Sequence, residues 1–168
     1  MAVRSSSRRG TYVLGLNHGA HDAAAALLCD GELVAMVEEE RLVRTKHAIG
    51  SAPFEAAAFC LRWAGIGLDD LGAVALGSDL DLLRKVPRPS AAEWRQIERL
   101  MDPERLFPAS RFERERLPPI VPVRHHVAHA ASSFYVSGHD EAAILVVDNR
   151  GEESATTLSV GSGNRIRE

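Results

Sequence analysis

Aromatic side chains are scarce in this 168-residue chain: five Phe, two Trp and two Tyr make up 5% of it. With 45% apolar residues and abundant alanine, the core must be built from close-packed small and branched side chains. Cysteine is nearly lacking. Cys29 and Cys60 both stand in apolar stretches and read as buried thiols, which excludes a disulfide framework. No apolar run is long enough to span a membrane. Charge of one sign is lacking too, since 20 basic and 23 acidic residues leave a net charge of -3, so neither nucleic acid nor a membrane is an expected partner. The basic opening, Met1 to Arg9, is not followed by a hydrophobic signal region. Residues 1–10 therefore read as a disordered tail on a cytoplasmic protein. No internal repeat is evident, and no low-complexity stretch lies beyond that tail.

What is present is an α/β pattern. Thr11 to Leu16, Ala23 to Cys29 and Glu32 to Glu38 read as three antiparallel strands, with Asp30-Gly31 as a tight hairpin turn. A charged crossover, Glu38 to His47, leads to Pro53, which opens a helix over Phe54 to Ala64; Ala57, Ala58, Leu61 and Trp63 are available for packing. Gly65 stops that helix. A strand over Ala73 to Gly77 follows. Between Leu80 and Pro118 the pattern is irregular, with an amphipathic helix expected over Ala91 to Met101. That segment reads as a surface excursion, the alternative being a substrate-side insertion. Ile120 to Val123 is a strand delivering a helix from His125 to Val136. Ala142 to Val147 is a continuous apolar run of the buried-strand kind, and Ala155 to Val160 is its hairpin partner. A three-strand antiparallel opening, a crossover helix and parallel additions predict a mixed sheet, compatible with one lobe of an actin-like ATPase fold.

The densest chemistry lies in Val123-Arg-His-His-Val-Ala-His-Ala130 and in Asp148. His125 and His129 stand four apart and share one helix face, and Asp148 closes a strand. Two imidazoles and a carboxylate suit zinc, iron or manganese alike, while structural or solvated histidines fit the same spacing. A zinc-peptidase reading fails, because His126 occupies the position of the required Glu base.

Four stretches in order resemble the O-carbamoyltransferases of the nodulation-factor and antibiotic-tailoring type. They are Leu14-Gly-Leu-Asn17 with His21-Asp-Ala-Ala-Ala-Ala-Leu-Leu28; Asp30-Gly31 through Glu38-Glu-Glu-Arg41 to Lys46-His47; Ala52-Pro53 with Ala56 to Leu61 and Asp69-Asp-Leu71; and His125 to Tyr135 with Val147-Asp148 and Gly151-Glu152. The resemblance implies an actin-like (ASKHA) domain related to the ATPase of tRNA threonylcarbamoyladenosine formation, joined to a YrdC-type domain that makes carbamoyl adenylate from carbamoyl phosphate and ATP. It implies transfer of the carbamoyl group to a hydroxyl of a sugar, antibiotic or nodulation-factor-like acceptor.

Carried over residue by residue, the resemblance implies that His125, His129 and Asp148 hold a divalent metal, iron or zinc. It implies that His21 deprotonates the acceptor hydroxyl, and it marks Asn17, Asp22 and Lys46 as cofactor-binding. Asp22 either orients His21 or ends a strand. Glu39, Glu40 and Arg41 match the family but fit a solvated or ion-paired face equally, and His126 reads as a packed histidine. One departure is Asn149-Arg150, where the family carries a glycine after its aspartate. Residues 11–168 are expected to form the N-terminal lobe alone, without the second lobe or the YrdC-like domain, so the enzyme would be completed by further chain or a second subunit. The competing readings are a truncated, non-catalytic metal- or nucleotide-binding lobe and, last, a stand-alone metallohydrolase.

Overall fold

The computed structural model describes residues 10–17, 21–85, 102–149 and 151–168. Residues 1–9 of the tail expected over 1–10 and the expected helix over 91–101 lie outside the described residues, as do His18, Gly19 and Arg150. The chain divides into two compact units, one of Met1–Val74 with Leu100–Ile120 and the other of Ala75–Arg99 with Val121–Glu168.

In the first unit, β1 (Tyr12–Asn17), β2 (Ala24–Cys29) and β3 (Glu32–Glu38) form the expected antiparallel meander. Asp30 and Gly31 both take positive φ (50° and 90°), the geometry of a two-residue turn whose twist matches that of its strands. The register pairs Leu14 with Leu27 and Leu16 with Ala25, and these four buried side chains share one face of the meander. After a short helix, α1 (Glu39–Val43), the longer α2 (Phe54–Ala64) lies across β2 and β3. Its buried side is Ala56, Ala57, Cys60 and Leu61, a stripe at helical spacing. Small side chains there let the helix approach closely enough for the Cys60 thiol to donate to the Ala25 carbonyl at 3.7 Å. Trp63 falls off that stripe. It is exposed and stacks on Phe59 at 5.9 Å between ring centroids instead of packing on the sheet. Gly65, in the left-handed region at φ 67°, ends the helix by donating its amide to the Arg62 carbonyl. Of the two cysteines Cys60 is buried, whereas Cys29 is only half-buried; both are free thiols.

Strands β4 (Leu71–Leu76) and β5 (Ile120–Pro122) extend the sheet to the order β3-β2-β1-β4-β5. The Val74 amide bonds the Pro119 carbonyl and the Val123 amide bonds the Leu76 carbonyl, so β4 and β5 run the same way and the sheet is mixed. Helix α3 (Leu80–Leu83) follows β4, and α4 (Pro103–Leu106) opens the second half of the irregular segment. That half is no surface excursion. Phe107 and Phe112 are buried edge to face at 5.4 Å, and the Asp69 carboxylate accepts the backbone amides of Glu115 and Arg116 at 3.0 Å, tying the chain down.

The second unit holds α5 (His125–Phe134) and a sheet of order β6-β7-β8, made of β6 (Glu141–Val147), β7 (Thr156–Ser162) and β8 (Arg165–Arg167). Ala130 and Phe134 of α5 pack on Ile144 and Val146, with Ala142 and Ile166 at the margin. Gly161 sits beneath the Phe134 ring, where an added Cβ would come within 2.7 Å of three ring atoms. The apolar run of β6 is buried on one face only, because α5 covers Ile144 and Val146 while Leu145 and Val147 face solvent. The third strand, β8, was not anticipated from its short polar sequence. Among the described residues no helix is long and apolar enough to cross a membrane.

Candidate functional site

The first turn of α5 is positioned by a carboxylate. No side chain of the preceding residue caps this helix. Instead, buried Glu152 accepts the His125 amide on both oxygens at 2.9 Å, and its Oε1 also accepts the Asp79 amide at 2.9 Å. Negative charge at a helix N-terminus meets unpaired N–H groups and the positive end of the helix dipole. Gly151 is what lets this loop approach: an added Cβ would lie 2.8 Å from His126 Cδ2 and 3.0 Å from the Ser154 carbonyl oxygen. His126, expected to be packed, is buried beside it, with Nδ1 3.1 Å from the Thr157 hydroxyl.

On the neighbouring helical positions His125 and His129 converge with Asp148. His125 Nε2 lies 2.9 Å from Asp148 Oδ2 and 3.1 Å from His129 Nε2, and His129 Nε2 lies 3.7 Å from the same carboxylate oxygen. The other nitrogen of His125 faces the Gly77 carbonyl at 3.1 Å. A carbonyl only accepts, so Nδ1 carries a hydrogen and Nε2 is the nitrogen turned toward Asp148. Two imidazole nitrogens and a carboxylate oxygen thus converge within 3.7 Å, a donor set that fits a cation. Burial pushes the Asp148 carboxyl up, but the Asn149 amide, the His125 hydrogen bond and the two imidazoles outweigh it. Asp148 therefore ionises below the usual carboxylate range.

A second cluster forms where the β1–β2 loop meets the segment after α1. His21 Nδ1 donates to Asp22 Oδ2 at 2.6 Å, and His47 Nδ1 donates to Asp22 Oδ1 at 2.9 Å. These bonds, His47 first, hold the Asp22 carboxyl below its ordinary value. The backbone is bent to achieve this, since Asp22, His47 and Ala48 all take positive φ (55°, 62° and 38°). Such conformations cost about 1 kcal/mol or more each and persist where neighbours over-determine them. Here the Asp22 amide donates to the His47 carbonyl at 2.7 Å, Asn17 Nδ2 donates to the Asp22 carbonyl at 2.8 Å, and the His47 amide donates to Glu40 Oε2 at 2.6 Å. Asp22, Glu40 and His47 also lie close enough to hold an ion. Their oxygens, however, already face hydrogens: both Asp22 oxygens meet imidazole N–H groups, and Glu40 meets the His47 amide and the Arg41 guanidinium. This second set suits proton handling, with one imidazole nitrogen of each ring left to face a ligand.

All three expected ligands thus come together, and Asp22 orients His21. Asn17 braces the Asp22 backbone. Lys46 is exposed on a 3-10 turn, Lys46–Ala48. Glu39 is not on a solvated face. It is buried, and its two oxygens accept the Glu55 and Ala56 amides, at 3.1 and 2.7 Å, capping α2 as Glu152 caps α5. Sequence reasoning missed the anchoring by Glu152 and Glu39 and the pairing of His47 with Asp22. The signals were the His21-Asp22, Glu38-Glu-Glu-Arg41, Lys46-His47 and Gly151-Glu152 stretches within the resemblance.

Residues 12–89 match the sequence model of a family described as Carbamoyltransferase N-terminus. An uncharacterized protein of Synechocystis is 33% identical over 174 residues, covering 93% of this chain and 28% of its own length. Nodulation protein NolNO of Sinorhizobium fredii is 32% identical over 151 residues, covering 88% of this chain and 22% of its own length. The chain thus spans about a quarter of these curated relatives. Among solved structures, the ROK hexokinase of Thermus thermophilus superposes at a TM-score of 0.51 with 22% identity, over 94% of this chain and 49% of that one. That likeness bears on the fold, which is of the actin-like α/β kind.

Proposed function

We propose, because residues 12–89 match the carbamoyltransferase N-terminal family model, that this chain is the acceptor-activating and metal-holding part of an O-carbamoyltransferase. The reaction is transfer of a carbamoyl group from carbamoyl adenylate to a hydroxyl of a sugar, antibiotic or nodulation-factor-like acceptor, the adenylate being made from carbamoyl phosphate and ATP. The observation that carries this reading is the convergence of His125 Nε2, His129 Nε2 and Asp148 Oδ2 within 3.7 Å.

An alcohol is a poor nucleophile near neutral pH and needs a positioned base. His21 meets that need. Asp22 accepts from Nδ1 and so fixes the tautomer that leaves the Nε2 lone pair free. The acceptor O–H proton passes to His21 Nε2 as the oxygen bonds to the carbamoyl carbon. The bond from that carbon to the phosphate oxygen then breaks, and AMP leaves. Asp22 stays ionised and offsets the charge gained by the ring. His125, His129 and Asp148 would hold the divalent metal, iron or zinc. Bound there, such a metal supplies positive charge that polarises the carbamoyl carbonyl and offsets charge on the departing phosphate. Lys46 offers a further cation to phosphate.

The test is a chimera in which this chain replaces its aligned quarter of NolNO, assayed with carbamoyl phosphate, ATP and the NolNO acceptor. Carbamoylated product that disappears in His21→Ala and His129→Ala supports the proposal. A folded, metal-loaded chimera without turnover refutes it.

A further inference from the structure

Five non-glycine residues among the described ones take positive φ: Asp22, Asp30, Arg44, His47 and Ala48. Asp30 does so in a tight turn and Arg44 at the left-handed end of α1, where that geometry is ordinary. The other three serve neither purpose. They stand together where the β1–β2 loop meets the segment after α1, and strain gathered in one place persists only because its neighbours enforce it.

His47 holds Asp22 at two points. Its carbonyl accepts the Asp22 amide at 2.7 Å, and its Nδ1 donates to Asp22 Oδ1 at 2.9 Å. His47 is itself fixed, since its amide donates to Glu40 Oε2 at 2.6 Å and the next residue, Ala48, is buried. The Asp22 side chain is half-exposed and has little packing to hold it. Bonded to His21 alone, at Oδ2, that carboxylate could turn about its two side-chain torsions and carry the ring with it. An imidazole N–H on each oxygen removes that freedom. The same two bonds keep the carboxyl ionised, His47 contributing first.

We infer that His47 is a positioning residue for the transfer: acting through Nδ1 on Asp22, it fixes the orientation and tautomer of His21 before an acceptor hydroxyl arrives. Its Nε2 has no part in this. The inference deepens the reading of His21 as the base and rests on it, but one arm of its test needs no turnover.

Two amide variants separate the two ring nitrogens of His47. The amide nitrogen in His47→Asn stands as many bonds from Cβ as Nδ1 does, and Asn tolerates a left-handed backbone. The amide nitrogen in His47→Gln reaches the place of Nε2 instead and leaves Asp22 Oδ1 without its donor. The His21 tautomer is read in this chain by ring nitrogen NMR at about pH 8, above the ordinary imidazole range. Expected is the Nδ1–H form in the unmodified chain and in His47→Asn, with a shift toward Nε2–H in His47→Ala and His47→Gln. In the NolNO chimera, kcat should fall about tenfold in His47→Ala and His47→Gln and return to within about twofold in His47→Asn, with KM for the acceptor unchanged. A far-UV spectrum like that of the unmodified chain will show that each variant folds. The inference is overturned by an unchanged His21 tautomer in folded His47→Ala or His47→Gln, by rescue with Gln but not with Asn, or by a rise in KM at unchanged kcat. A chimera without any turnover would count against the catalytic reading, while the tautomer would still decide this one.

Discussion

Glu152 reaches across the second unit to hold the backbone amide of His125 with both carboxylate oxygens, at 2.9 Å each. The helix that carries both histidines thus begins where a residue 27 positions further along the chain allows it to begin. Glu152→Ala would leave the His125 and Asp79 amides without their acceptor in a buried place. A loss of about 2–3 kcal/mol in urea unfolding is expected, together with weaker metal binding. Stability unchanged within error would show that the bond contributes nothing net.

Gly161 and Phe134 make a similar demand on space. Gly161→Ala puts a methyl group against a buried ring held between helix and sheet. Overpacking of this kind costs about 1–3 kcal/mol, to be read as a lowered melting temperature. The same substitution at Gly138, where no atom lies within 4 Å of an added Cβ, adds no clash; its cost is confined to the backbone at φ 76°.

The ligand set makes a prediction through linkage. A cation bound only by the folded chain stabilises it by about 2.7 kcal/mol when present at a hundred times its dissociation constant. Zinc or Fe(II) should therefore raise the melting temperature of this chain, and His129→Ala should abolish the rise. An equal rise in the variant would remove His129 from the ligand set.

Asp22 sets the pH behaviour of the other cluster. Its carboxyl is held below the ordinary value of 3.8 first by the His47 hydrogen bond and then by that of His21. A depressed folded-state value means that the contribution to stability is fully present above the unfolded value and is lost as pH falls through the folded one. In a carboxyl NMR titration, His47→Ala should move the Asp22 midpoint upward more than His21→Ala does. The reverse order would mean that His21 is the closer partner in solution.

The elements themselves were legible wherever a local signal was strong. The limits of α2 follow from Pro53, its small-residue stripe and Gly65, and the first turn follows from Asp30-Gly31. His125, His129 and Asp148 were legible because helical spacing and a strand's end bring them together by simple geometry. Bonds made over long sequence distances were not. Nothing local tells that Glu39 will cap a helix starting fifteen residues later, or that Glu152 will serve two amides at once. Strand β6 misled in an instructive way, since a run apolar on both faces reads as buried on both, whereas this chain covers only one. Trp63 was misplaced because a large apolar side chain was expected inside, where alanine and cysteine already filled the space.

The distant carboxylate on α5 also has a consequence in time. A ten-residue helix is marginal by itself in water, and here its first turn is fastened by a group that leaves the ribosome well after it. While the chain is being made, His125 and His129 are added, and emerge, before Asp148 and Glu152. The donor set is therefore incomplete until the hairpin that follows has closed on the helix and brought Asp148 to the two rings.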